Sequence, residues 1–80
     1  HWYINNLEIL SIALGNTGRL DDAIPMAREV AAQRARLYGE ISNQNGYGLY
    51  SLANLLGRAG QRLEAMALLR QCLQIQRQLD

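Results

Sequence analysis

One pattern of about fourteen residues occurs twice in this chain, at a constant separation of 42 residues. Residues 10–23 and residues 52–65 both run from leucines through two glycines into an acidic residue followed by alanine. The pairs that are identical at this offset are Leu7/Leu49, Leu10/Leu52, Leu14/Leu56, Gly15/Gly57, Gly18/Gly60, Ala23/Ala65, Arg28/Arg70 and Leu37/Leu79. A helical hairpin that recurs at such a period is typical of a stacked α-solenoid.

Four amphipathic segments predict an all-α superhelix made of two antiparallel helical hairpins. The predicted helices cover residues 3–16, residues 20–38, a third segment that is clear from residue 49 to the glycine pair at 57 and 60, and residues 62–79. We expect residues 1–80 to form a single domain fragment. Its first repeat covers about residues 4–38, and its second covers about residues 43–80.

The helix ends carry their own signals. The first and third helices each meet two glycines, which tolerate the positive φ that terminates helices. We expect the pairs Gly15 with Gly18, and Gly57 with Gly60, to form these stops. Ser42 or Asn43 is the predicted N-cap of the third helix, although Gly46 and Gly48 are poor helix formers. Pro25 falls near the start of the second helix, where the loss of one hydrogen bond is tolerable.

Each predicted helix presents an apolar face. The residues on these faces are Tyr3, Leu7, Leu10 and Leu14; then Ala23, Met26, Ala27, Val30, Ala31 and Leu37; then Leu49, Leu52 and Leu56; and finally Ala65, Leu68, Leu69, Cys72, Leu73 and Leu79. Small residues beside leucines allow two helices to cross closely. We therefore expect Ala53 and Ala65 to be the points at which the second hairpin packs most tightly.

Composition argues against several kinds of partner and chemistry. The net charge is +1 and the eight arginines form no run, so we expect no nucleic-acid or membrane-surface binding. No signal peptide or membrane span is evident. A single cysteine, Cys72, forms no internal disulfide and favours a reducing, cytoplasmic setting. Because the chain starts at His1 without methionine, we expect a piece of a larger protein.

The residues show no pattern expected of an enzyme or a cofactor site. Asp21 and Asp22 are adjacent, so on a helix they point about 100° apart and cannot form a facing acid–base pair. Their position favours the helix dipole. His1 has no neighbours at metal-ligand spacing, and Cys72 sits among core positions with no cation beside it. We expect no enzymatic activity, no cofactor and no metal.

At these positions the chain resembles a tetratricopeptide repeat array. The family's pattern of large, small and acidic-plus-alanine positions is matched in repeat two by Leu49, Leu52, Ala53, Leu56, Gly60, Glu64, Ala65, Leu69 and Cys72, and in repeat one by Leu7, Leu10, Ser11, Leu14, Gly18, Asp22, Ala23, Ala27 and Val30. The 42-residue period is similar to the longer variety found in kinesin light chains and many bacterial signalling proteins.

The resemblance implies a binding scaffold that holds a peptide or partner protein along the first helix of each repeat. Carried over by position, the candidate groove residues are Asn5, Glu8, Ile12 and Asn16 in repeat one, with Tyr47, Tyr50, Asn54 and Arg58 in repeat two. The last four are spaced 3, 4 and 4, so they share one helical face. Such a face suits recognition, but the two tyrosines could equally serve to pack against the preceding repeat.

Three hypotheses follow for function. The first is a protein- or peptide-binding scaffold module within a larger intracellular protein. The second is a structural or self-associating element, because two repeats are few for a solenoid and leucines of the fourth helix have no further helix to cover them. The third is a regulatory repeat region of a bacterial signalling ATPase or transcription regulator.

Overall fold

The computed structural model describes residues 2–79, which form four α-helices. These are α1 (Trp2–Asn16), α2 (Leu20–Tyr38), α3 (Asn43–Arg58) and α4 (Arg62–Leu79). Consecutive helices pack on one another in the order α1–α2, α2–α3 and α3–α4. The prediction of an all-α chain of helical hairpins is confirmed. His1, which we expected not to bind a metal, lies outside the described residues.

The turns within the two hairpins have the same backbone geometry. Gly18 and Gly60 adopt φ of 84° and 87°, a left-handed conformation that favours glycine. In each turn this glycine donates its N–H at 3.1 Å to the carbonyl of the glycine three residues earlier. The predicted glycine stops are confirmed, because α1 ends at Asn16 and α3 ends at Arg58, each between the two glycines of its pair. The left-handed glycine lies two positions beyond each helix end.

The connection between the hairpins ends in a side-chain cap. The Ser42 hydroxyl oxygen accepts a hydrogen bond from the Asn45 N–H at 3.1 Å and donates one to the Gly39 carbonyl at 2.8 Å. The Asn45 amide donates to the Glu40 carbonyl at 2.8 Å. Ser42, one of the two predicted N-caps, is therefore the cap, and α3 forms despite its glycines.

Buried side chains of α2, α3 and α4 form the core. The main cluster consists of Ala23, Ile24, Ala27, Leu52, Ala53, Leu55, Leu56 and Ala65. A smaller cluster joins Ala31 and Leu49 to Ile75. Both predicted packing points, Ala53 and Ala65, lie in the main cluster, and Pro25 lies within an unbroken α2.

Several residues predicted on apolar faces are exposed. These are Tyr3, Leu10, Leu37, Leu69, Leu73 and Leu79, whereas Ile4, Ile24 and Ile75 are buried. The first and last helices each have a packed neighbour on one side, so their periodicity does not determine which apolar residues lie inside. Leu37 belongs to the last turn of α2, beyond the residues of α2 that form the core.

The two repeats meet closely where glycines remove side chains. A Cβ added to Gly15 of α1 would lie 2.7 Å from Cδ2 of Leu55 in α3. One added to Gly48 would lie 3.3 Å from the Ala31 Cα. These approaches bring α3 alongside both α1 and α2, which creates the groove described next.

Candidate binding groove

A groove of about 250 Å³ lies between α1 and α3. It is lined by Ser11, Ile12, Asn16, Tyr47, Tyr50, Ser51, Asn54, Leu55 and Arg58. Six of the eight predicted groove residues are among them, namely Ile12, Asn16, Tyr47, Tyr50, Asn54 and Arg58. The helical spacing and the close approach of α1 to α3 together bring these six side chains to one surface.

Tyr47, Tyr50, Asn54 and Arg58 form one wall of this groove. Both tyrosines are about half exposed, and Asn54 and Arg58 are exposed. Their side chains therefore offer aromatic surface, an amide and a guanidinium to a ligand. On the opposite wall, α1 contributes the exposed Ile12 and Asn16. Arg58 is the charged side chain of the groove lining, so the groove presents a positive charge at one end.

Glu8 is absent from the groove lining, contrary to its predicted place. Its side chain is buried and its carboxylate Oε1 pairs with the Arg34 guanidinium of α2. The Arg34 guanidinium carbon lies 5.4 Å from the centre of the Tyr47 ring, which is the geometry of a cation–π contact. Glu8 thus reaches inward because Arg34 supplies the opposite charge that its burial requires. The ion-paired Arg34 therefore contacts the Tyr47 ring and helps to hold it in place.

Asn5 also lies apart from the groove lining. It is exposed near the start of α1, one turn before Glu8, and the residues that line the groove begin further along the helix. The position carried over for Asn5 is therefore outside the cavity between α1 and α3.

Four residues outside the eight candidates contribute to this surface. Ser11, Ser51 and Leu55 line the groove, and Arg34 lies under Tyr47. Ser11 is the small residue of the repeat pattern, and its hydroxyl donates to the Glu8 carbonyl at 2.9 Å. Arg34 follows Val30 by one turn, and nothing in the spacing of α2 alone links it to α3.

Cys72 is half-buried on α4 and packs against the smaller core cluster. Its thiol donates to the Gly46 carbonyl at 3.4 Å, and burial raises the pKa of Cys72 above its ordinary value. Both observations fit a packing residue more closely than a reactive thiolate. Among residues 2–79, no three His, Cys, Asp or Glu side chains gather closely enough to hold a metal ion. No helix within that part of the chain is long and apolar enough to cross a membrane.

Comparison with known proteins gives one match. The family model described as "Tetratricopeptide repeat" matches residues 7–44 and again residues 49–79. The two matches begin 42 residues apart and correspond to the two hairpins. Searches of curated proteins and of solved structures returned no match. Repeats of this kind generally mediate protein–protein interaction, and by sequence and by fold this chain belongs to the tetratricopeptide repeat family.

Proposed function

We propose that the groove between α1 and α3 binds an extended peptide segment of a partner protein. The observation that carries this proposal is the single wall formed by Tyr47, Tyr50, Asn54 and Arg58. Side chains of these types dominate recognition surfaces, because aromatic rings supply area at low entropic cost while amide and guanidinium groups supply directed hydrogen bonds. Binding, and not catalysis, is the function we assign to these residues.

The chemistry of the groove restricts the peptide. Arg58 is the charged group at the surface of the groove, and Glu8 is already paired with Arg34. A ligand therefore finds a guanidinium without a competing groove carboxylate, which favours an aspartate, a glutamate or a terminal carboxylate opposite Arg58. The Asn54 amide suits the backbone of an extended chain. We place the module within a larger protein of the cytoplasm, where Cys72 stays reduced.

Selection from a random twelve-residue peptide library, with the purified 80-residue chain as bait, tests this assignment. We expect acidic peptides to be enriched. A selected peptide labelled with fluorescein should then bind the chain in a fluorescence polarisation assay. Arg58→Ala should weaken that binding at least about tenfold, since a charged hydrogen bond contributes about 1.5–3 kcal/mol.

The matched control is Arg62→Ala, which removes an exposed arginine outside the groove. It should leave the affinity for the labelled peptide unchanged. The triple change of Tyr50, Asn54 and Arg58 to alanine should abolish binding while the helical circular dichroism signal persists. Equal losses for Arg58→Ala and Arg62→Ala, or intact binding by the triple variant, would place the site elsewhere.

A further inference from the structure

The helix α4 exposes the residues that its counterpart in repeat one buries. In α2, Ile24, Ala27 and Ala31 belong to the core clusters beneath repeat two. The residues 42 positions later are Met66, Leu69 and Leu73, which are 50%, 41% and 58% exposed. This face of repeat one is therefore covered by repeat two, whereas the same face of repeat two is open.

The equivalent glycines Gly15 of α1 and Gly57 of α3 also differ in whether a neighbour covers them. A Cβ on Gly15 would meet Leu55 of the next repeat at 2.7 Å, whereas one on the equivalent Gly57 would meet nothing within 4 Å. Gly57 borders a depression of about 340 Å³ that Ala53, Ala65 and Leu69 also line, together with the groove residues Tyr50, Asn54 and Arg58. We call the open surface formed by Ala53, Gly57, Ala65, Met66, Leu69, Arg70 and Leu73 the C-terminal face.

Repeat one has a matching open surface at the other end of the molecule. The side chains with which repeat two contacts repeat one include Leu52, Leu55 and Glu64. Their equivalents in repeat one are Leu10, Ala13 and Asp22, and all three are exposed. We call the surface formed by Leu10, Ala13 and Asp22 the N-terminal face.

We infer that a second copy of this chain docks its N-terminal face on the C-terminal face of the first. The volumes at the two faces are complementary. Within the chain, a large Leu55 belongs to the same core cluster as a small Ala27. Between copies, the large and small residues change sides. Leu69 of the first copy takes the place of Ala27, and Ala13 of the second copy takes the place of Leu55. The larger C-terminal face meets a smaller N-terminal face.

The charges are complementary as well. Within the chain, Arg28 donates to both carboxylate oxygens of Glu64, at 2.6 and 3.0 Å, and so links the repeats. The equivalents are Arg70 on the C-terminal face and Asp22 on the N-terminal face. Asp22 already pairs with Arg19 at 2.8 Å in an exposed contact, so a pair with Arg70 of a second copy would share or replace that contact. In this second pair, the arginine and the carboxylate lie on the same helices of the repeat as in the first pair.

The docked junction contains no counterpart of the ion pair that is buried at the internal junction. The buried pair Glu8 and Arg34 of the internal junction corresponds to Tyr50 and Gln76, which are neutral. At the end of the junction furthest from the turns, Asn6 and Leu73 replace Gly48 and Ala31 and are larger on both sides. The docked copies therefore splay at that end and contact mainly around Gly57, Leu69 and Arg70.

Such a head-to-tail contact uses two different surfaces, so each copy can add another and association does not close. We expect sedimentation velocity of the 80-residue chain to show a weight-average mass that rises from 9.0 kDa as concentration increases from micromolar to millimolar. Ala13→Glu and Leu69→Glu each place a carboxylate in the contact and should each yield a monomer. Their equimolar mixture should yield a heterodimer and nothing larger, because one intact face remains on each.

Leu63→Glu is the matched control, since Leu63 lies on α4 outside the C-terminal face and is 85% exposed. It should associate as the wild type does. Circular dichroism checks that each variant folds, and Gly57→Gln, whose side chain enters open space, repeats the Leu69 test. The chain carrying both Asp22→Arg and Arg70→Asp should regain the association that either change alone weakens.

Three results would overturn the inference. A wild-type chain that stays monomeric at millimolar concentration would rule out a second copy as the occupant of the C-terminal face and would favour a further repeat of a longer chain. Ala13→Glu that dimerises alone would indicate a two-fold contact between C-terminal faces. Loss of association in Leu63→Glu would indicate contact through the outer face of α4. Tyr50, Asn54 and Arg58 line both the peptide groove and the depression on the C-terminal face, and none of these experiments alters them.

Discussion

At the scale of single residues, the same amino acid serves different purposes at equivalent places. Gly18 and Gly60 supply a left-handed backbone for the turns, whereas Gly15 and Gly57 are helical. Of the helical two, Gly15 has a neighbour that occupies the space of a side chain, and Gly57 does not. Identity at a 42-residue offset therefore does not mean equal tolerance to substitution.

Alanine substitution of the two helical glycines should have opposite effects on stability. Gly57→Ala adds a methyl group to open space and raises helix propensity, so the free energy of unfolding should increase by up to about 0.5 kcal/mol near this helix end. Gly15→Ala forces Leu55 to move within the core, and its overpacking cost exceeds the propensity gain, for a net loss of about 1 kcal/mol. Urea unfolding of both variants measures the difference, and equal stabilities would contradict the close contact.

The ion pair between Arg28 and Glu64 should make stability depend on pH. The hydrogen bonds from Arg28 hold the pKa of Glu64 below its ordinary value of 4.5. Because the folded pKa is lowered, the stabilisation is complete above pH 4.5 and is lost as the pH falls through the lowered pKa. The stability difference between wild type and Glu64→Gln should therefore shrink on acidification, as measured by thermal unfolding from pH 7 to pH 3.

Glu40→Gln provides the comparison, because Glu40 is exposed in the connection between the hairpins and its carboxylate forms no ion pair with the described residues. Its stability difference from wild type should stay small across the same range. A difference for Glu64→Gln that is constant with pH would show that the pair does not couple to folding.

At the scale of helices, the ends were easier to predict than the inward faces. Ser42, the glycine turns and the apolar spacing are local signals, and α2 and α4 begin and end where the sequence predicts. Which side of α1 and α4 lies inside depends on neighbours. Leu73 and Ile75 are both apolar, yet only Ile75 is buried, because α3 covers one side of α4. Periodicity within one helix carries no information about that choice.

Removal of the cap of α3 should destabilise the second repeat. Ser42→Ala deletes the acceptor of the Asn45 N–H and the donor to the Gly39 carbonyl, at a cost of about 1 kcal/mol. In a domain of this size the melting temperature should fall by about 4–8 °C. Asn43→Ala, at the neighbouring exposed position, should leave it almost unchanged. Similar melting temperatures for Ser42→Ala and wild type would contradict the role of the cap.

At the scale of the whole molecule, the groove could be predicted in outline from the repeat alone. Tyr47, Tyr50, Asn54 and Arg58 share a helical face, and their spacing is sufficient to show it. The burial of Glu8 could not be predicted in the same way. It depends on Arg34, a residue 26 positions away on another helix, whose approach is a property of the packed hairpin. Long-range ion pairs of this kind leave no trace in a local pattern.

The buried Glu8–Arg34 pair has no equivalent in repeat two, and this makes the order of the repeats matter. In a circular permutant that places residues 43–79 before residues 2–38, the pair would lose the cover of Tyr47 and would face water. The neutral positions Tyr50 and Gln76 would then lie at the internal junction. Such a permutant would convert the contact inferred between copies into one within a single chain, so its folding would report on that contact independently of concentration.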